Sequence, residues 1–161
     1  MSGRLARLAR VAAAVGATAA AGSLASRDVT SAWYADLDKP PFQPPGAVFP
    51  VAWTTLYTDV ALTAGHALDR LEAAGRHDEA TAYRSALAAN LVVNASWSWV
   101  FFRAHRLGPA VVVAAVLAAS SADLVRRTAR VSPGAATALS AYPAWCGFAT
   151  VLSAEIWRRN R

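Results

Sequence analysis

A single cysteine among 161 residues leaves no partner for an intramolecular disulfide, no CxxC redox pair and no four-cysteine zinc or iron–sulfur site. Charge is scarce too. Only 16% of residues are charged, against about 25% in an ordinary soluble domain. With 55% hydrophobic residues, that deficit excludes a disordered chain and points away from a water-soluble globule. Lysine is nearly missing: Lys39 stands alone, and every other fixed positive charge is arginine. The chain has no Gly-rich phosphate loop, no nucleophile elbow and no HExxH helix, so neither a hydrolase nor a nucleotide enzyme is expected. His66, His77 and His105 are scattered, with no second histidine or cysteine one turn away, so no metal site is expected. Period-two alternation is nowhere sustained, which argues against strands.

What is present is apolar length and aromatic mass. Five apolar stretches run from about Leu8 to Leu24, Val48 to Leu68, Leu87 to Phe102, Ala110 to Val125 and Ala135 to Trp157. They predict an all-α membrane bundle with helices over about 5–26, 48–70, 82–103, 108–130 and 134–158, in one domain covering 1–161. A net charge of +6 raises the question of nucleic acid. The arginines, however, flank apolar runs (Arg4, Arg7, Arg10; Arg126, Arg127, Arg130; Arg158, Arg159, Arg161), where headgroups hold the charge. The expected partner is a lipid bilayer, not nucleic acid. Positive charge is nearly balanced between the two sides, so orientation stays open. The first stretch fits either a signal peptide or an Ala-rich membrane helix. Residues 27–47, with Pro40, Pro41, Pro44 and Pro45, predict a rigid extended loop, and 69–83 a short wet connection.

Helical spacing sorts the chemistry onto faces. Trp53 and Tyr57 share one; Asn90, Asn94, Trp97 and Phe101 share another; Trp145, Ala149 and Leu152 share a third. If these faces meet, they line an aromatic cavity for a flat, largely apolar ligand. Asn94 must find a partner inside a span, as interhelical glue or as a ligand contact, and Asn90 fits the glue role. Asp59 has no local basic partner. Asp123 with Arg126 and Arg127, and Glu155 with Arg158 and Arg159, read as helix-end ion pairs; His66, Asp69 and Arg70 read as a helix-end cluster. Cys146 is expected to be a small packing residue.

Four motifs in register resemble the TspO/MBR family. They are Trp33-Tyr34-x-x-Leu37-x-Lys39-Pro40-x-x-x-Pro44-Pro45, Phe49-Pro50-Val51-x-Trp53-Thr54-x-Leu56-Tyr57, Asn94-x-x-Trp97-Ser98-x-x-Phe101-Phe102 and Tyr142-x-x-Trp145-x-x-Phe148-Ala149-x-x-Leu152, followed by Trp157 and Asn160. The resemblance covers about residues 30–160. It implies five membrane helices, usually as a homodimer, and makes the first stretch a membrane helix. It implies tetrapyrrole ligands, protoporphyrin IX or haem, with no obligatory cofactor, and a sensing, regulatory or transport role. Some bacterial members promote light-dependent porphyrin breakdown; here Trp53 and Trp145 would be the catalytic candidates. A membrane scaffold without a small ligand is the remaining alternative. Carried over by position, the ligand site would comprise Trp33, Tyr34, Trp53, Tyr57, Asn94, Trp97, Trp145, Ala149 and Leu152, with the Pro-rich loop as a lid. The Lys-poor, Ala- and Arg-rich usage fits a GC-rich bacterial genome, so the expected location is a bacterial cell membrane. The sequence departs from the family pattern at Ala141-Tyr142-Pro143, which shifts the kink of the fifth helix by two residues. Ser153 and Ala154 replace residues of the animal sterol motif, Ala61 replaces a glycine, and Asp59 is unusual.

Overall fold

In the computed structural model, which describes residues 2–161, the chain is all helical. Five long helices, α1 (Ser2–Ala25), α3 (Val48–Ala73), α4 (His77–Ser98), α5 (Leu107–Ala129) and α7 (Ala141–Arg159), run up and down. Two short ones, α2 (Ala32–Asp36) and α6 (Pro133–Leu139), lie between them. α1 packs on α3 and α4, α4 on α5, and α5 along α7. α3 meets α6 broadly but touches α7 little, so the ring is closed at one end and parted at the other.

Three helical segments are long and apolar enough to cross a membrane by length and composition: Gly3–Thr30, His77–Arg103 and Leu107–Ala129. α3 and α7 are of comparable length, but carry Asp59, Asp69 and Glu72, and Glu155, respectively.

Several sequence expectations are corrected. The segment 69–83 is helical except at the turn around Gly75, because α3 continues to Ala73 and α4 starts at His77. Gly75 takes φ +69. Its N–H reaches the Glu72 carbonyl at 3.0 Å and Arg76 N–H reaches Leu71 at 2.9 Å, a Schellman ending that needs a residue free of Cβ strain. Asp78 and Glu79 favour the helix start that follows. The helix expected over 134–158 is broken at Ser140. Pro143 has no N–H for the Leu139 carbonyl, so α6 ends there and α7 begins with Pro143 in its first turn, where proline is tolerated.

The loop expected to be extended throughout 27–47 starts instead with a 3-10 turn, Ser26–Thr30, and α2. Ser31 caps α2, its hydroxyl accepting from Tyr34 N–H at 3.3 Å. Extended chain follows only after Leu37. α4 runs into a π-turn at Trp99–Arg103, where Ala104 N–H donates to the Trp99 carbonyl at 2.9 Å.

Candidate functional site

Two cores fill the bundle. One is aliphatic, built on Val60, Ala64, Leu68, Leu71, Leu87 and Leu124 with Tyr83 and Tyr142. The other is aromatic, built on Phe101, Phe102, Leu152 and Ile156 with Tyr34, Phe49, Trp97 and Phe148. Between α3 and α7, beneath the Pro-rich loop, lies a cavity of about 560 Å³.

The spacing-derived faces do converge there. Tyr34, Trp53, Tyr57, Asn94, Trp97, Trp145, Ala149 and Leu152 all line the cavity. Trp53 sits 5.4 Å from Tyr57 and edge-on to Tyr142 at 6.5 Å. Trp145 lies between Phe49 at 6.0 Å and Phe148 at 5.5 Å. Trp97 stacks on Phe101 with centroids 5.1 Å apart.

Trp33, placed in the site by resemblance, does not line it. Its indole stacks on His105 at 3.9 Å and meets Phe101 edge-on, pinning α2 to the turn before α5. His105 holds the positive φ of that turn, +54. The sequence reading missed several wall residues. Phe49 lies one turn before Trp53, and Phe148 three residues after Trp145, so longer stripes would have found both. Gln43 and the small face Ala19, Gly22 and Ser23 of α1 gave no comparable signal.

Below the aromatic walls runs a hydrogen-bonded chain. Tyr57 Oη donates to Asn94 Oδ1 at 2.8 Å, and Asn94 Nδ2 donates to Tyr142 Oη at 2.8 Å. Tyr142 Oη donates to Asn90 Oδ1 at 2.9 Å, and Asn90 Nδ2 to Ser121 Oγ at 3.1 Å. Ser121 Oγ donates to the Leu117 carbonyl at 2.7 Å. The chain joins α3, α4, α5 and α7 around Asn90 and Tyr142, both with no exposed surface. Asn94 thus has both roles open to it: it ties helices together and it faces the cavity. Two polar atoms of wall residues, Gln43 Oε1 and Trp97 Nε1, are buried without a partner. A ligand group meeting either would gain more than it would at a satisfied atom.

The lid is fastened from both sides. Lys39 Nζ donates to the carbonyls of Tyr34, Ala35 and Leu37, closing the end of α2, and lies 4.6 Å above the Tyr34 ring. Asn160, just past α7, accepts from Asp38 N–H and donates to the Asp38 carbonyl, each at 2.9 Å. Gln43 Nε2 donates to Tyr34 Oη at 3.3 Å. Burial holds the Tyr34 phenol above its ordinary value of 10.0, outweighing the lowering by Gln43.

Outside the cavity, Asp123 pairs with Arg126 and Arg127, and Glu155 with Arg158 and Arg159. The expected His66–Asp69–Arg70 cluster is replaced: Asp69 takes Arg7 at 2.7 Å and Arg4 at 3.1 Å across from α1. One oxygen of Asp59 is buried without a partner. Cys146 packs in the core beside Ser121, 3.9 Å away.

A helical bundle with membrane-length apolar helices packed around an aromatic cavity is the architecture of an integral membrane protein. The TspO/MBR family model matches residues 10–158, and the chain belongs to that family of integral membrane proteins. It is similar to the "Tryptophan-rich sensory protein" of Cereibacter sphaeroides, 35% identical over 148 residues, covering 92% of this chain and 87% of that one. It is also similar to the "Translocator protein" of Homo sapiens, 34% identical over 128 residues, 80% of this chain and 75% of that one. "Protein CrtK" of Rhodobacter capsulatus is 30% identical over 145 residues, 89% of this chain and 88% of that one.

Proposed function

We propose that the chain is a membrane sensor or regulator that binds a free-base porphyrin such as protoporphyrin IX in the lidded cavity. The observation that carries this reading is the wall itself. It is about 560 Å³ of space bounded by indole, phenol and phenyl rings, with no charged side chain among its lining residues. A flat π-macrocycle suits such walls. Its propionates do not, since a buried unpaired carboxylate is costly. The macrocycle therefore goes in and the carboxylates stay at the mouth. No histidine lines the cavity, so a haem there would receive no axial imidazole from the lining residues. The sensory role in the name of the Cereibacter relative fits a protein whose lid responds to an occupant.

The test is a dark titration of the detergent-solubilised protein, following tryptophan fluorescence. Protoporphyrin IX and its dimethyl ester should both quench saturably and with similar affinity. Trp145→Ala should weaken both at least tenfold, about 1.4 kcal/mol. Absence of saturable quenching would remove the porphyrin reading and bring forward the scaffold alternative.

A second reading, light-driven oxidation of the porphyrin with dioxygen as the electron acceptor, is favoured by one contact. Trp53 lies against Tyr57, whose hydroxyl starts the hydrogen-bonded chain, so an oxidised indole would have a phenol beside it. Illuminating the titrated sample decides it. A new absorbance product, lost in Trp53→Phe while dark binding survives, would make the protein an enzyme.

A further inference from the structure

The half of the bundle away from the lid holds a second concavity, about 260 Å³, between α1, Leu68 near the end of α3 and the middle turns of α4. Its walls are Leu68, Leu87 and Leu91, and its rim carries the guanidinium groups of Arg7, Arg10 and Arg84. We infer that this groove is a binding site for an anionic phospholipid, with one acyl chain against the leucines and the phosphate at the arginines.

The charge balance at the rim leaves room for an anion. Asp69 takes Arg7 and Arg4, and Glu72 takes Arg84 together with His77. Arg10 is exposed and has no hydrogen-bond or ion-pair partner among the described residues. Each guanidinium has five N–H donors, so the paired arginines also keep some free. Two carboxylates facing four guanidiniums leave an uncompensated positive rim.

The depth of the groove selects a lipid over a soluble anion. It lies where the apolar segments Gly3–Thr30 and His77–Arg103 begin, the level at which a bilayer holds its phosphates. Free phosphate would use the rim and leave the leucine wall bare. A zwitterionic lipid would bring its own cation to the arginines. An anionic lipid satisfies both, each arginine near the surface contributing about 1 kcal/mol. The site shares no lining residue with the large cavity, so it stands or falls apart from porphyrin binding.

The experiment is a thermal-unfolding titration in detergent with dioleoylphosphatidylglycerol, dioleoylphosphatidylcholine or inorganic phosphate. Phosphatidylglycerol should raise the unfolding midpoint saturably, and the other two should not. Arg10→Gln, which breaks no observed contact, should weaken the phosphatidylglycerol effect about fivefold, the equivalent of one surface arginine. Native mass spectrometry of the same variant should show fewer retained phosphatidylglycerol molecules. Protoporphyrin quenching should be unchanged. Equal shifts with both lipids, an undiminished shift in Arg10→Gln, or a full shift from inorganic phosphate would each overturn the assignment.

Discussion

The two ends of this bundle are built from different materials. The end near Gly75 and α6 is closed by Leu, Val and Ala and joined by α3–α6 packing. The end under the lid is propped by rings meeting edge to face, and α3 and α7 part there. Aliphatic side chains interdigitate in the bundle interior and leave space only in a groove on its outer side, whereas large rigid rings meeting at angles leave a cavity between them. Inside the bundle, tight packing and open space are therefore assigned to opposite ends, with the Asn90–Tyr142 chain at the boundary.

That division can be broken by experiment. The largest effect is expected for Asn90→Ala. It strips an acceptor from Tyr142 and a donor from Ser121 in a fully buried site, and should cost about 2 kcal/mol by thermal unfolding in detergent. Trp53→Phe at the aromatic end should cost less than about 1 kcal/mol and weaken dark porphyrin binding only modestly, since a π-face remains. Comparable losses would erase the distinction between the ends.

Next comes Asn160→Ala, which frees both backbone groups of Asp38. It should cost the lid about 1 kcal/mol, speeding amide exchange at residues 37–43 and porphyrin release about fivefold, with unfolding barely changed. Unaltered exchange would mean that Lys39 and Gln43 secure the loop without Asn160.

A third effect belongs to the aliphatic end. Gly75→Ala forces a Cβ into the left-handed region and should cost about 1 kcal/mol, leaving porphyrin affinity untouched.

The smallest is a pH effect. The Tyr34 phenol is raised by burial, so the fold favours its neutral form. The stabilisation is complete below about pH 10 and is lost as pH rises through the raised value. Wild type should therefore lose stability relative to Tyr34→Phe above pH 10. A gap that stays constant with pH would show that the Tyr34 phenol is not held in its neutral form by the fold.

Much of this was legible in the sequence because helix periodicity is local. Trp53 with Tyr57, Asn94 with Trp97, and Trp145 with Ala149 and Leu152 reach one cavity through 3.6-residue geometry alone. What periodicity missed depends on breaks and distance. Pro143 acts backward on the Leu139 carbonyl, so a run that reads as one helix becomes α6 and α7. Ser31 starts a helix of only five residues, and that turn carries Trp33 away from the cavity and onto His105. Asn160 meets Asp38 across most of the chain's length, and no spacing rule joins the two. Asp69 likewise finds Arg7 on α1 in preference to its neighbours on α3.

The hydrogen-bonded chain has a one-way polarity. It ends on the Leu117 carbonyl, a group that only accepts. Ser121, Asn90, Tyr142, Asn94 and Tyr57 must then each spend a proton in that direction. The Tyr57 hydroxyl consequently arrives at the cavity with its hydrogen committed and only lone pairs to show. A peptide bond in α5 thereby sets a rule for any occupant: whatever touches that oxygen has to bring its own hydrogen.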